Sequence, residues 1–254
     1  TKTKFTTLDS LSFQGIDEDA ELIPLMTPED EEEIDKEDLP EILPILPLRN
    51  TVLFPGVVIP ITAGRDTSIK LINTANNGNK TIGVVSQKEE GIESPSINDI
   101  NRVGVVARIL RVLKMPDGNT TVILQGKKRF YIDEVVEDVP YLKAKIREVP
   151  EARTAKEIIK ESPAIPSEAS FAIKNIESNS FLINFVSSNL NLPVEEKQNL
   201  LEINDLKKRA LSTLKYMNVE FQKLELKNVI QSKVQHDMSQ QQREYFLHQQ
   251  MKTI

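Results

Sequence analysis

From Leu43 onward the apolar positions fall in short, β-branched runs separated by turn residues. Leu43-Pro44-Ile45-Leu46-Pro47-Leu48 alternates apolar residues with prolines, and proline within a strand points to an edge position. Val57 to Ile61 and Thr81 to Gln87 read as strands. Between them, Arg65 to Asn76 sets Ile69, Ile72 and Ala75 at helical spacing. Val103 to Leu113, the turn residues of Met115 to Asn119, and Thr120 to Gln125 predict a hairpin. Lys128 to Val136 and Tyr141 to Val149 predict a second strand pair. Six or so short strands and one small helix imply a curled sheet or open barrel.

The pattern changes in the second half. All nine glycines lie at or before Gly126, and proline ends at Pro193. Ser167 is placed to cap a helix in which Ala169, Ala172, Ile173 and Ile176 share a face, and Ser178-Asn179-Ser180 breaks it. Leu182, Phe185, Val186 and Leu190 form a further stripe, and a third helix follows Pro193. Asn204-Asp205 interrupts it and caps the next. From Asp205 to Ile254 no helix breaker occurs; fifty helical residues would extend about 75 Å. Ala210, Leu214, Met217, Phe221 and Leu224 alternate at spacings of four and three, as in a coiled-coil seam, which then decays at Asn228 and Gln231. The fold class expected is α+β. Its parts are an acidic disordered tail over residues 1–38, a β domain over 39–150, a helical bundle over 151–204, and a long helical arm over 205–254.

Charge refines this division. The 254 residues carry a net charge of −6, but residues 1–38 hold 13 acidic side chains against Lys2, Lys4 and Lys36. The leader is therefore −10 and the remainder +4. A run such as Glu29 to Glu33 cannot offset its ordering entropy by apolar burial, so the leader is expected to stay solvated. No apolar run approaches the roughly 18–20 residues that span a bilayer, and no basic-then-apolar signal segment opens the chain. The chain begins at Thr and stops inside a helical pattern, as a piece of something longer would.

The absent chemistry is informative. Without cysteine there is no disulfide framework, thiolate metal site or Cys nucleophile. The two imidazoles, His236 and His248, sit about 18 Å apart along a helix and cannot share a metal. Gly126-Lys127 lacks the glycine and hydroxyl residue that a phosphate loop requires, since those positions are Thr121 and Lys128. Ser-Lys chemistry is not excluded by spacing, yet nothing marks one pair as activated. Two basic triplets, Lys127-Lys128-Arg129 and Lys207-Lys208-Arg209, could meet phosphate, and Phe130-Tyr131 follows the first. On a strand, however, one of those aromatics faces the core, and a body charge of +4 is a weak nucleic-acid footprint. The stretch Phe54 to Val58 admits two readings, a loop tucked onto the sheet or an exposed apolar patch.

Residues Leu46 to Pro60, LPLRNTVLFPGVVIP, resemble the opening of the Lon protease N-terminal domain. Gly64 to Lys70, Val103 to Ile109 and Pro116-Asp117-Gly118 continue the resemblance, and Gln241 to Ile254 is similar to the Lon segment leading to its ATPase module. The resemblance implies a PUA-like barrel, then helices, from a cytoplasmic bacterial ATP-dependent serine protease that works as a hexamer. Its Ser-Lys dyad, ATP and magnesium would belong to modules beyond this chain, which holds no catalytic residue and no cofactor of its own. The expected role is recognition of unfolded or damaged proteins and assembly with other copies, with no membrane and with nucleic acid not the primary ligand. The alternatives are a free-standing adaptor or chaperone-like module, or a PUA-like RNA binder. Candidate contacts are Phe54, Val57 and Met115 on the β domain and Tyr245, Phe246 and Met251 on the arm. The stretch from Pro150 to Thr154 is abrupt for the family, which usually carries a longer helix before Ser162-Pro163.

Overall fold

The computed structural model describes residues 27–115, 118–150, 178–223, 226–227 and 230–231. The chain divides into two compact units, residues 1–210 and 211–254. The β domain and the first helices are therefore one unit, and the junctions expected near 150 and 204 fall inside it.

Six strands form one sheet: β1 (Ile42–Leu48), β2 (Val58–Ala63), β3 (Thr81–Ser86), β4 (Val103–Lys114), β5 (Thr120–Glu137) and β6 (Lys143–Glu148). Their order is β2-β5-β4-β3-β1-β6, and β5 also pairs with β6. The pairings thus run in a closed circuit through β5, β4, β3, β1 and β6, with β2 added on β5. β1 lies parallel to β3, and the other pairs are antiparallel.

Two expectations change. The proline-bearing strand β1 is not at an edge but sits between β3 and β6. β6 pairs with Ile42 to Pro44 and β3 with Ile45 to Leu48, so each half of β1 is paired mainly on one side. A missing N–H is tolerated where the ladder is one-sided. Second, the predicted strands 120–125 and 128–136 are one 18-residue strand, β5. It pairs with β2 over Thr120 to Gln125, with β4 from Thr120 to Tyr131, and with β6 from Phe130 onward. A bulge opposite Val105 to Ala107 changes its phase near Lys127 and Lys128. In consequence Arg129 and Phe130 are both buried, on opposite faces.

The sheet encloses Leu43, Ile45, Val85, Ile100, Val106, Phe130, Ile132, Ala144 and Ile146. The Phe130 ring needs space from two glycines. A Cβ on Gly83 or on Gly104 would lie 2.9 Å from its Cζ. Helix α2 (Asp66–Asn77) follows β2 and buries Ser68, Leu71, Ile72 and Ala75; Ile69 is half-buried.

The acidic leader is not wholly without structure. Residues Pro28–Lys36 form α1, opened by a capping box in which Thr27 Oγ1 accepts from Asp30 N and Asp30 accepts from Thr27 N. Three acidic residues in its first turn complement the helix dipole. Residues 1–26 lie outside the described residues, as do 151–177, where the first bundle helix was expected.

Helix α3 (Asn179–Asn189) begins where the sequence suggested a break, because Ser178 is its N-cap and accepts from Phe181 N. Helix α4 (Val194–Glu202) follows Pro193, and Asp205 Oδ1 accepts from Lys208 N at the start of the next helical stretch. Ile183, Leu206 and Ala210 form a small apolar cluster. In the second unit, residues 211–223, 226–227 and 230–231 are helical. Phe221, Leu226 and Ile230 are exposed there, while Leu214 and Met217 of the predicted seam are half-buried.

Candidate functional site

The Phe54 to Val58 stretch takes the first of its two readings. Phe54 has no exposed surface and Val57 is buried. Gly56 adopts φ 80°, as the second central residue of a type II turn requires, and Val57 N donates to Phe54 O at 3.2 Å. Gly56 and Val57 exchange hydrogen bonds with Gly126 in β5, both at 2.9 Å. A Cβ on Gly126 would stand 2.3 Å from Phe54 O, so only glycine admits the loop there. Phe54 and Val57 are therefore core residues, and their candidacy as contacts for a partner is withdrawn. Met115 is different: it is 44% exposed at the end of β4, with Leu110 at 43% on the same strand. Tyr245, Phe246 and Met251 lie outside the described residues, as do His236 and His248.

The first basic triplet and Arg209 of the second are absorbed by the fold, whereas Lys207 and Lys208 are exposed. Arg129 is 3% exposed and reaches out of the sheet beneath α4. Its Nη1 donates to Leu201 O, Ile203 O and Asn204 Oδ1 at 3.0, 3.2 and 3.1 Å, and its Nη2 to Pro150 O at 3.0 Å. Arg209, fully buried, donates to Asn184 Oδ1 at 2.8 Å and to Ile203 O at 2.6 Å. One carbonyl, that of Ile203, thus takes both guanidinium groups. Gln198 adds a third tie between helix and sheet. It accepts from Ser86 Oγ at 2.7 Å and donates to Val103 O at 2.9 Å, while Asn101 Nδ2 donates to Ser86 Oγ at 2.8 Å. The aromatic pair is equally committed, since Phe130 is core and Arg147 stacks on the Tyr131 ring at 4.6 Å.

Lys127 and Lys128 face α1. Lys127 Nζ pairs with the Glu37 carboxylate. Lys128 Nζ donates to Asp35 O and Glu37 O, both at 2.8 Å, and to Glu148 Oε2 at 3.3 Å. Ser178 Oγ donates to Glu31 Oε1 at 2.5 Å. A cavity of about 320 Å³ lies under the helix, lined in part by Glu31, Ile34, Lys128, Arg129, Glu148 and Asn184. Sequence reasoning placed α1 outside the folded body. The opposed charges of leader and body were the available signal, and what it lacked was the address on β5.

Among the described residues no group of three or more His, Cys, Asp or Glu is placed to hold a metal, and no helix is long and apolar enough to cross a membrane. What the unit offers is a scaffold whose buried side chains Arg129, Arg209, Gln198 and Ser86 are hydrogen-bonded within the fold.

That scaffold has the fold of a Lon N-terminal domain. The N-terminal domain of the Mycobacterium avium complex Lon protease matches it with a TM-score of 0.55 at 23% identity, over 70% of this chain and 98% of that one. The model of the ATP-dependent protease La (LON) substrate-binding domain matches residues 42–219, and the chain belongs to that family. The Lon protease of Flavobacterium johnsoniae is 69% identical over 99% of this chain, and that of Cytophaga hutchinsonii 48% identical over 93%. The match takes in 33% and 31% of those proteins, so the chain spans about a third of the length of these relatives.

Proposed function

We propose that this chain is the substrate-recognition and assembly region of an ATP-dependent Lon-type protease of the bacterial cytoplasm, and that it carries no catalytic group. The 69% identity to the Flavobacterium johnsoniae Lon protease carries this reading. Proteolysis, ATP with magnesium, and hexamer formation are then properties of the longer protein. The closed circuit of strand pairings supports a PUA-like barrel for the β domain. The helical residues of the second unit support an arm for contact with other copies, with Tyr245, Phe246 and Met251 as its proposed contacts. Nucleic acid is disfavoured as a ligand because the first basic triplet is engaged within the fold.

On the β domain, the contact with unfolded polypeptide is proposed at the hairpin end of β4, through Leu110 and Met115. Leu110 lies within β4, which is paired with β5, and Met115 is held just beyond it by its N–H on Asn119 O, so holding a client there costs little backbone ordering of the domain. Replacing both with Asp should weaken binding of a permanently unfolded, carboxymethylated polypeptide about tenfold, the equivalent of about 1.4 kcal/mol of lost apolar burial. The circular-dichroism melt should not change. Unaltered affinity in a variant that melts like the parent would remove the site.

A further inference from the structure

Helix α1 is held to the body in an unusual way. Six of the residues from Glu29 to Asp35 are acidic, and Ile34 is their one apolar member. Only Glu31 and Ile34 of that run are half-buried, and the others are exposed. Against so little apolar burial stand the charged clasps already described: Lys127 on Glu37, Lys128 on the carbonyls of Asp35 and Glu37 at the C-terminal end of the helix, and Ser178 on Glu31. The lysine side chains are only 10% and 9% exposed beneath the segment. The space under the helix is a cavity rather than packed core. The acidic partners Glu37 and Glu148 are half-exposed, so salt weakens these contacts in part, and little apolar burial is lost when the helix lifts.

We propose that Lys127, Lys128 and Ser178 form a docking site for acidic polypeptide segments, and that residues 28–37 are its built-in occupant. An acidic stretch of a client protein binds by displacing α1. The site reads a carboxylate at Lys127, two backbone carbonyls at Lys128, and a second carboxylate at Ser178 about two helical turns earlier. This geometry is independent of the apolar contact at Leu110 and Met115. It gives the domain a second, charge-selective criterion for its clients. The intramolecular copy competes at an effective concentration on the order of millimolar, so weak acidic stretches are refused and only strongly acidic ones are admitted.

The test uses a fluorescein-labelled peptide of residues 27–38, TPEDEEEIDKED, read by fluorescence anisotropy. Deleting residues 1–38 should tighten its binding at least tenfold over the full chain, with affinity falling as salt rises. Adding Lys127→Ala and Lys128→Ala to the deletion should abolish it. Should the truncated chain not fold, the full chain with Glu31→Gln and Glu37→Gln is the acceptor, with the same expectation. Equal binding by parent and uncovered chain overturns the proposal. So does peptide binding that survives the double alanine change, or equally tight binding of a single-stranded oligonucleotide, which would mark a general polyanion patch.

Discussion

Replacing Arg129 with methionine tests whether the helices are fastened to the sheet by the guanidinium or only lie against it. Methionine keeps much of the apolar stem and volume and removes at least four hydrogen bonds. Ile203 O retains Arg209 as a donor, so the carbonyls of Leu201 and Pro150 and the Asn204 amide oxygen bear the loss. Leu201 is buried, and its stranded carbonyl costs about 1–3 kcal/mol; the two partly buried acceptors cost less. Relief from burying the guanidinium offsets part of this, as replacing buried charges with apolar groups can. The net expected is about 2–4 kcal/mol, or a fall in melting temperature of about 4–16 °C for a unit of this size. Arg129→Lys, which restores the charge but not the fork, should recover less than half of the loss. Thermal melting by circular dichroism gives the total. Amide hydrogen exchange gives its place: residues 194–204 should lose protection while β3 and β4 keep theirs. If the methionine variant melts within about 2 °C of the parent with α4 protection intact, the guanidinium does not fasten the helices and the reasoning fails.

Two further outcomes are expected. Gly104→Ala and Gly126→Ala should each destabilise by at least about 1–3 kcal/mol in chemical denaturation, because the new methyl meets backbone oxygen at 2.3 Å, of Val84 and of Phe54 respectively; Gly91→Ala, with nothing within 4 Å, should be nearly neutral and serves as the control. The Lys145 ammonium, hydrogen-bonded to Glu41 at 2.6 Å, holds that carboxyl below its ordinary value of 4.5. Since the folded value is the lower one, the contribution of Glu41 to stability is complete above about pH 4.5 and is lost as pH falls through the folded value. A carboxyl NMR titration should show Glu41 protonating at lower pH in the native domain than in Lys145→Ala, and coincident curves would refute the pairing.

Much of the strand framework was legible because period-2 apolar runs and Pro-Gly or Asp-Gly turns are local signals. β2, α2, β3 and the β4–β5 hairpin all fall near their expected places. The position of β1 was not legible, since proline reports only a missing donor and not which half of a strand is paired. The continuity of β5 was hidden for a similar reason. Gly126 and three basic residues look like an interruption, whereas the bulge and the incoming Phe54 to Val57 loop are what make them fit. The apolar character of Phe54 was equally visible in both of its readings, and only the neighbour across from it chose between them. Leu110 stays exposed at the register shift between Ile109 and Arg111, next to buried Ile109, and Met115 stays exposed just past the end of β4.

By itself the sequence determined the material: a β-rich half, a helical half, an acidic leader, and a chain without the cysteines, paired histidines or phosphate loop that several chemistries demand. Its ordered blocks were also enough to suggest the family. Only the tertiary structure decided where each charge ended up. Arg129 and Arg209 read as surface cations and became internal fasteners, and Lys127 and Lys128 became the seat of the leader. The reason is physical. Periodicity and composition are properties of neighbours along the chain, whereas the environment of a buried guanidinium is set by carbonyls some 70 residues away, brought to it only when helix and sheet pack.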